Sequence, residues 1–229
     1  MAMIAAMLSI VIPTLDAGET LAGTLASLRC ADWPKEVVIA DAGSADGTAD
    51  VARRFGAKLV ETSPGRGGQL VAGAKAAAGD WLLFLHADTR LDPGWAEEAQ
   101  DFMKPAANAG RAGVFRFALD DDSGPARRLE RMVGWRARRL ALPYGDQGLL
   151  ISRKLYESLG GYRPLPLMED VDLIRRIGRE RIVLLRSRAV TSADRYRRGG
   201  YLLRSTRNLF CLALYYAGVP AGAIARIYR

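Results

Sequence analysis

Several carboxylates in this sequence stand where an α/β protein does its chemistry. One apolar run ends in Pro13-Thr14-Leu15-Asp16, a second in Asp41-Ala42-Gly43-Ser44, and a third in His86-Ala87-Asp88. A carboxylate at a strand end accepts hydrogen bonds from ribose or base donors, or holds a hard cation through oxygen. Each stretch alone also reads as a turn or helix cap, because Asp, Ser, Gly and Thr serve both roles. Asp46-Gly47-Thr48 is read that way. For Asp41 and Asp88 the shared end of one sheet favours function, since open α/β sheets bind ligands outside the carboxyl ends of their strands. A further cluster, Met168-Glu169-Asp170-Val171-Asp172, reads in two ways. It is the acidic first turn of a helix, favoured by the helix dipole, or the source of a general base that deprotonates a hydroxyl nucleophile.

Two glycine-flanked stretches add polar groups. Gly65-Arg66-Gly67-Gly68 precedes a small-residue helix and brings backbone N–H groups and a guanidinium to an anion, or is a plain loop. Gly145-Asp146-Gln147-Gly148 offers two polar side chains, Asp146 and Gln147, to a ligand, or is a turn. The turn after the first strand lacks Gly-x-Gly-x-x-Gly, which argues against a dinucleotide-binding dehydrogenase. A P-loop is also absent. The single histidine, His86, rules out a multi-histidine metal site within one chain, and two distant cysteines, Cys30 and Cys211, suggest neither a disulfide framework nor a zinc site. A reducing cytoplasm is expected.

The elements that must position these residues alternate. Strands are predicted at 8–13, 36–41, 58–61 and 81–86, with helices at 19–28, 48–55 and 68–78 between them. Leu8-Ser-Ile-Val-Ile-Pro13 is nearly continuous in apolar residues, as a strand buried on both faces requires. Such alternation implies a mostly parallel, doubly wound sheet. The second half is less regular, with strands predicted at 112–119, 148–151 and 181–185 and helices at 126–140 and 169–178. One catalytic domain is expected over 1–194, with its nucleotide-binding half about 8–90 and its acceptor half about 91–194. A helical appendage is expected over 195–229.

In order along the chain, Ser-Ile-Val-Ile-Pro-Thr at 9–14, Asp-Ala-Gly-Ser with Asp-Gly-Thr at 41–48, Gly-Arg-Gly at 65–67, His-Ala-Asp at 86–88 and Glu-Asp at 169–170 resemble the family-two glycosyltransferases. These are inverting enzymes of the GT-A fold, and the chain looks like a small bacterial branch. The resemblance runs from about Leu8 to Leu185 and implies a single α/β domain with a Rossmann-like sheet. It implies that Pro13, Thr14, Asp16, Asp41 and Gly43 line a nucleoside pocket, and that Arg66, His86 and Ala87 contact the donor. It further implies that Asp88 holds a divalent cation, Mn²⁺ or Mg²⁺, on the diphosphate, and that Asp170, with Glu169 beside it, is the base. The donor is expected to be a UDP-sugar. One departure stands out: the family has Asp-x-Asp where this chain has His86-Ala87-Asp88. Imidazole still hydrogen-bonds a ribose hydroxyl or ligates Mn²⁺, but one negative charge is lost.

Charge is uneven. Residues 1–110 hold 9 basic and 14 acidic side chains, residues 111–229 hold 24 and 11. The basic half suggests an anionic partner: nucleic acid, phospholipid or a phosphorylated acceptor. The apolar start Met1–Met7 is too short and lacks the basic residues of a signal peptide. Asn208–Ala225 carries no charge over 18 residues, just short of a span, and Gly218 and Pro220 interrupt it. Helices on a surface or interface are therefore expected there. Arginines at 127, 128, 131, 138, 139, 195, 197, 198, 204 and 207 fit the inner face of a membrane, or solvent. Dimerisation through Leu209–Tyr216 competes. Two other functions are weighed: a sugar-nucleotide nucleotidyltransferase, which wants a glycine-rich basic loop after the first strand, and a non-catalytic basic module on membrane or RNA. A lipid- or phosphate-linked acceptor is expected more than nucleic acid.

Overall fold

The computed structural model describes residues 6–228 except 32, 34 and 141. The first five residues of the apolar start lie outside that set. The first half follows the predicted alternation: β1 (Leu8–Thr14), α1 (Gly18–Ser27), β2 (Lys35–Asp41), α2 (Thr48–Arg54), β3 (Lys58–Glu61), α3 (Arg66–Ala76) and β4 (Trp81–Phe84). A short β5 (Thr89–Leu91) and α4 (Trp95–Met103) come next, neither of them expected from the sequence. The second half contains β6 (Ala112–Leu119), α5 (Gly124–Leu140), β7 (Leu149–Ser152), α6 (Arg153–Ser158), α7 (Glu169–Ile177) and β8 (Ile182–Thr191). It ends in α8 (Asp194–Gly199), α9 (Tyr201–Tyr216) and α10 (Ala221–Tyr228).

The eight strands form one sheet in the order β3-β2-β1-β4-β7-β6-β8-β5. β1 to β4 are mutually parallel, and β6 and β8 continue in their direction. β7 runs against β4 and β6, and β5 against β8. The sheet is thus mostly parallel, as expected. Its central strands are apolar at nearly every position because helices cover both faces. On one face Leu21, Leu25, Val51, Trp95 and Phe102 from α1, α2 and α4 pack on Ile10, Ile12 and Leu83. On the other, Leu70, Leu155, Leu173 and Ile174 from α3, α6 and α7 pack on Val11, Leu82 and Ile151. A smaller cluster under α5 joins Leu129 and Val133 to Phe117 and Ala193, with Tyr196 and Tyr201 of the last helices packed against it.

The strand pairings explain why distant motifs meet. β7 is antiparallel to β4, with Leu149 opposite Phe84. The turn before β7 (145–148) therefore lies beside the 85–88 segment that leaves β4. β8 runs with β6 and ends at Thr191, so its exit reaches the same edge, where the Ser192 N–H donates to the Asp88 carbonyl at 3.0 Å.

Candidate active site

At the β1–β2 edge the parallel register sets Thr14 beside Asp41. The Thr14 hydroxyl donates to Asp41 Oδ1 at 2.6 Å, as does the Ser44 hydroxyl, and the Gly43 and Ser44 N–H groups donate to Oδ2 at 3.1 and 2.9 Å. Burial alone would raise the Asp41 pKa, but these four donors outweigh it and hold the carboxyl below its usual range. Both oxygens are thus committed to the protein, and Asp41 is buried. These bonds order the 41–44 loop beside the end of β1. Asp16 is exposed and left-handed (φ 48°), a conformation that Asp tolerates better than most residues. Its Oδ1 accepts from the Ala45 N–H at 3.0 Å. Gly43 is left-handed as well (φ 84°). Pro13 is half-buried on β1, and the Ala87 carbonyl accepts from the Thr24 hydroxyl at 2.8 Å.

A second group of side chains lines a cavity of about 390 Å³: Arg66, His86, Asp88, Asp146, Glu169 and Asp170. Four separate stretches of sequence supply them. Arg66 opens α3, and its Nε lies 3.8 Å from Glu169 Oε1 at the start of α7. Gly67 permits this approach: a methyl group there would sit 2.5 Å from the Arg163 carbonyl oxygen. Its glycine thus serves backbone packing, in addition to any anion binding by the loop. Met168 precedes α7 in a left-handed conformation (φ 64°), a strained geometry of the kind that clusters at functional sites.

Glu169 and Asp170 sit differently. Glu169 is buried, and burial followed by the neighbouring Asp170 charge pushes its pKa up to about 7, against the pull of Arg66. Asp170 is half-buried. Its Oδ2 accepts from the Gly145 N–H at 2.8 Å, and its Oδ1 from the Val171 N–H at 2.7 Å. Asp172 faces away, in a buried ion pair with Arg176 (2.5 Å) and Arg163 (3.1 Å).

His86 lies against the turn at Gly145, where a methyl group would come 2.8 Å from its Nε2. Enclosure, with Arg66 and Arg195 adding to it, drives the His86 pKa well below its ordinary value, so the ring is neutral. Asp88 is half-buried and accepts one long hydrogen bond, 3.5 Å from the Thr89 hydroxyl. Asp146 keeps a buried Oδ1 with no protein partner. Burial, with Asp170 and Asp88 adding repulsion against the pull of Arg136, raises its pKa to about 6. Gln147 corrects the sequence reading. It is buried, its Nε2 donates to the Phe115 carbonyl at 2.9 Å, and it does not reach the cavity.

The far wall was not anticipated. Arg195, Tyr196, Arg204, Asn208, Ala225 and Tyr228 of the last three helices all line the cavity. The stretch read as an appendage closes the site instead of trailing from it. Its root is pinned by Arg197 on Asp120 and by the Tyr201 hydroxyl on Asp121 at 2.6 Å. Arg195 and Arg204 have no carboxylate partner among the described residues, and Arg204 leans over the Tyr196 ring. No local sequence signal could have shown this, since arginines on a helix look alike before it folds back.

Among the described residues no three His, Cys, Asp or Glu side chains stand close enough to cage a metal. A carboxylate with spare lone pairs at Asp88, and an orphaned oxygen nearby on Asp146, fit a different case. A divalent cation bridging a diphosphate takes one or two carboxylates and completes its shell with phosphate oxygens and water.

A mostly parallel sheet with carboxylates gathered at its C-terminal edge defines an α/β nucleotide-binding fold of the GT-A type. Residues 9–158 match the model of Glycosyl transferase family 2, and the chain belongs to that family. Glu169 and Asp170 lie beyond the matched segment. A PGL/p-HBAD biosynthesis glycosyltransferase of Mycobacterium bovis is 39% identical over 99 residues, 39% of this chain and 38% of that protein. The match thus spans well under half of this relative. Among solved structures, S. aureus TarS superposes with a TM-score of 0.66 at 17% identity, covering 90% of this chain and 64% of that one. Glucosyl-3-phosphoglycerate synthase of Mycobacterium tuberculosis, solved with Mn²⁺, UDP and glucosyl-3-phosphoglycerate, gives 0.62 at 20% identity, covering 94% and 81%. At such identities the likeness establishes the shared fold.

Proposed function

We propose that this protein transfers a sugar from a UDP-sugar to an acceptor hydroxyl, with inversion at the anomeric carbon. The observation that carries this reading is that Asp170 opens onto the same cavity as Asp88 and Arg66. A base and a diphosphate-binding group therefore face one space. The UDP and UDP-GlcNAc complexes of TarS support the donor class.

Asp170 takes the acceptor's hydroxyl proton. The Gly145 and Val171 N–H groups fix the direction of its carboxylate, which a general base requires. The acceptor oxygen bonds to the anomeric carbon on the face opposite the donor oxygen. The electron pair of the breaking C–O bond leaves with the nucleoside diphosphate. One base with no covalent nucleophile gives inversion. Arg66 stabilises charge developing on the leaving phosphate, and buried Glu169 orients Arg66. Asp88, with Asp146 near it, would hold Mn²⁺ or Mg²⁺, which supplies Lewis-acid stabilisation of the diphosphate. Neutral His86 holds the turn at Gly145 and takes the place of a carboxylate toward the ribose. Asp41, with the buried Thr14 hydroxyl on it, acts on the donor by shaping the Gly43–Ser44 loop, leaving Asp16 and Pro13 at the nucleoside edge. The guanidiniums of Arg195 and Arg204, without a carboxylate partner among the described residues, fit an acceptor that carries an anionic group such as a phosphate.

Release of UDP from a panel of UDP-sugars, with Mn²⁺ and then with EDTA, tests this. Turnover with at least one donor, abolished in Asp170→Asn, is expected. UDP binding without turnover of any donor, with or without cell-derived acceptors, would overturn it in favour of a non-catalytic module.

A further inference from the structure

Two neighbouring helices present outer faces that nothing among the described residues covers. On α5 the exposed residues are Arg128, Arg131, Met132, Trp135, Arg138 and Arg139. Their spacing of three and four places them on one helical face. On α9 the exposed stripe is Leu202, Leu203, Leu209, Phe210 and Tyr216, with Thr206 and Ala213 between them. Leu202 is 78% exposed, Phe210 55% and Trp135 56%. Apolar side chains of this size are rarely left in water as a continuous stripe.

The two helices run side by side. Tyr201, at the start of α9, bonds to Asp121 just ahead of α5. α5 and α9 also touch each other directly. The inner side of α5 packs on β6, with Tyr196 and Tyr201 against it. The only acid on either helix is Glu130, which is half-buried and paired with Arg127 at 2.6 Å. The pair thus offers an uncharged apolar stripe beside an arginine face that carries tryptophan and methionine. Among the described residues no helix is long and apolar enough to cross a membrane, and a flat amphipathic surface has no such requirement.

We propose that the outer faces of α5 and α9 seat this protein on an anionic phospholipid bilayer. The apolar stripe enters the headgroup boundary while the α5 arginines meet lipid phosphates, each contributing about 1 kcal/mol near the surface. A second copy of the chain is a poorer occupant, since a two-fold contact would set the same arginine face against itself. Of the tail arginines, Arg197 is ion-paired, and Arg195 and Arg204 line the cavity. This orientation has a consequence for substrate. The opposite side of α9 carries Arg204 and Asn208 into the cavity, so lipid headgroups stand about one helix diameter, ~10 Å, from its wall.

Co-sedimentation of the full chain with vesicles tests the surface. Vesicles of phosphatidylglycerol and phosphatidylcholine should bind the protein at low salt, and phosphatidylcholine alone far less. Arg131→Ala with Arg138→Ala should weaken binding roughly 30-fold, at about 1 kcal/mol per arginine. Leu202→Glu with Phe210→Glu should abolish it. UDP binding by calorimetry and the melting temperature should stay unchanged in all of them, which separates this surface from the sugar-transfer reading. Equal vesicle binding by wild type and variants would overturn the proposal. So would absence of binding together with a concentration-dependent dimer that Phe210→Glu dissociates.

Discussion

Arg66 Nε stands 3.8 Å from Glu169 Oε1, with the arginine 41% exposed and the glutamate 3%. This contact ties the first turn of the helix after β3 to the first turn of the helix that carries Asp170. The starts of α3 and α7 thus face each other across the cavity that both line.

Asp170→Asn should fold, bind UDP almost normally and transfer sugar ~10²–10⁴-fold more slowly, because asparagine cannot take the acceptor's proton. Asp172→Asn should behave in the opposite way. It breaks the buried pair with Arg176 and leaves that guanidinium short of a partner, so its melting temperature should drop while its residual turnover per folded molecule stays near wild type. Thermal denaturation and UDP-release rates on both variants check the contrast.

Glu169 should make stability depend on pH. Its carboxyl sits at about 7 in the fold against 4.5 as its ordinary value. The folded state thus binds more protons between those values, and its stability falls as pH rises from about 4.5 through about 7. Glu169→Gln removes this component. Urea denaturation at pH 5 and pH 8 should show a smaller loss across the interval in the variant than in wild type.

Gly67→Ala places a methyl group 2.5 Å from the Arg163 carbonyl oxygen and 2.7 Å from Leu165 backbone atoms. Backbone must shift, at a cost of ~1–3 kcal/mol, and Arg66 moves with it, so UDP binding should weaken as well. Gly68→Ala is the matched control. Nothing lies within 4 Å of a methyl group there, and alanine in a helix should add about 0.5–1 kcal/mol. Chemical denaturation of the two variants should move in opposite directions.

Asp88→Asn should remove most of the Mn²⁺ dependence of UDP affinity. His86→Asp, which restores a carboxylate pair, should keep or strengthen it. Calorimetric titration of UDP with and without Mn²⁺ reads both. Equal affinity with and without metal in the wild type would remove the metal role from Asp88.

Much of this protein was legible locally. The continuous apolar runs of β1 and β4 predicted buried strands, and the alternation with helices predicted a mostly parallel sheet. The break at Gly218 and Pro220 separated two final helices as expected, with Gly218 left-handed after α9. Hydrophobic period and turn residues carry such signals because they depend on neighbours a few positions away. Three residues set the limit. Asp41 ends a strand in the sequence, but only the parallel register brings Thr14 to it across 27 positions. Gln147 stood beside Asp146 in a polar turn, yet it reaches 32 positions back to Phe115. Arg204 belonged to a featureless basic tail until α9 folded over the cavity. The sequence by itself determined which carboxylates end strands, since a strand's end is written in its own residues. The tertiary structure decided which of those carboxylates are spent on the fold and which still face open space, because hydrogen-bond satisfaction is settled by partners that only long-range packing supplies.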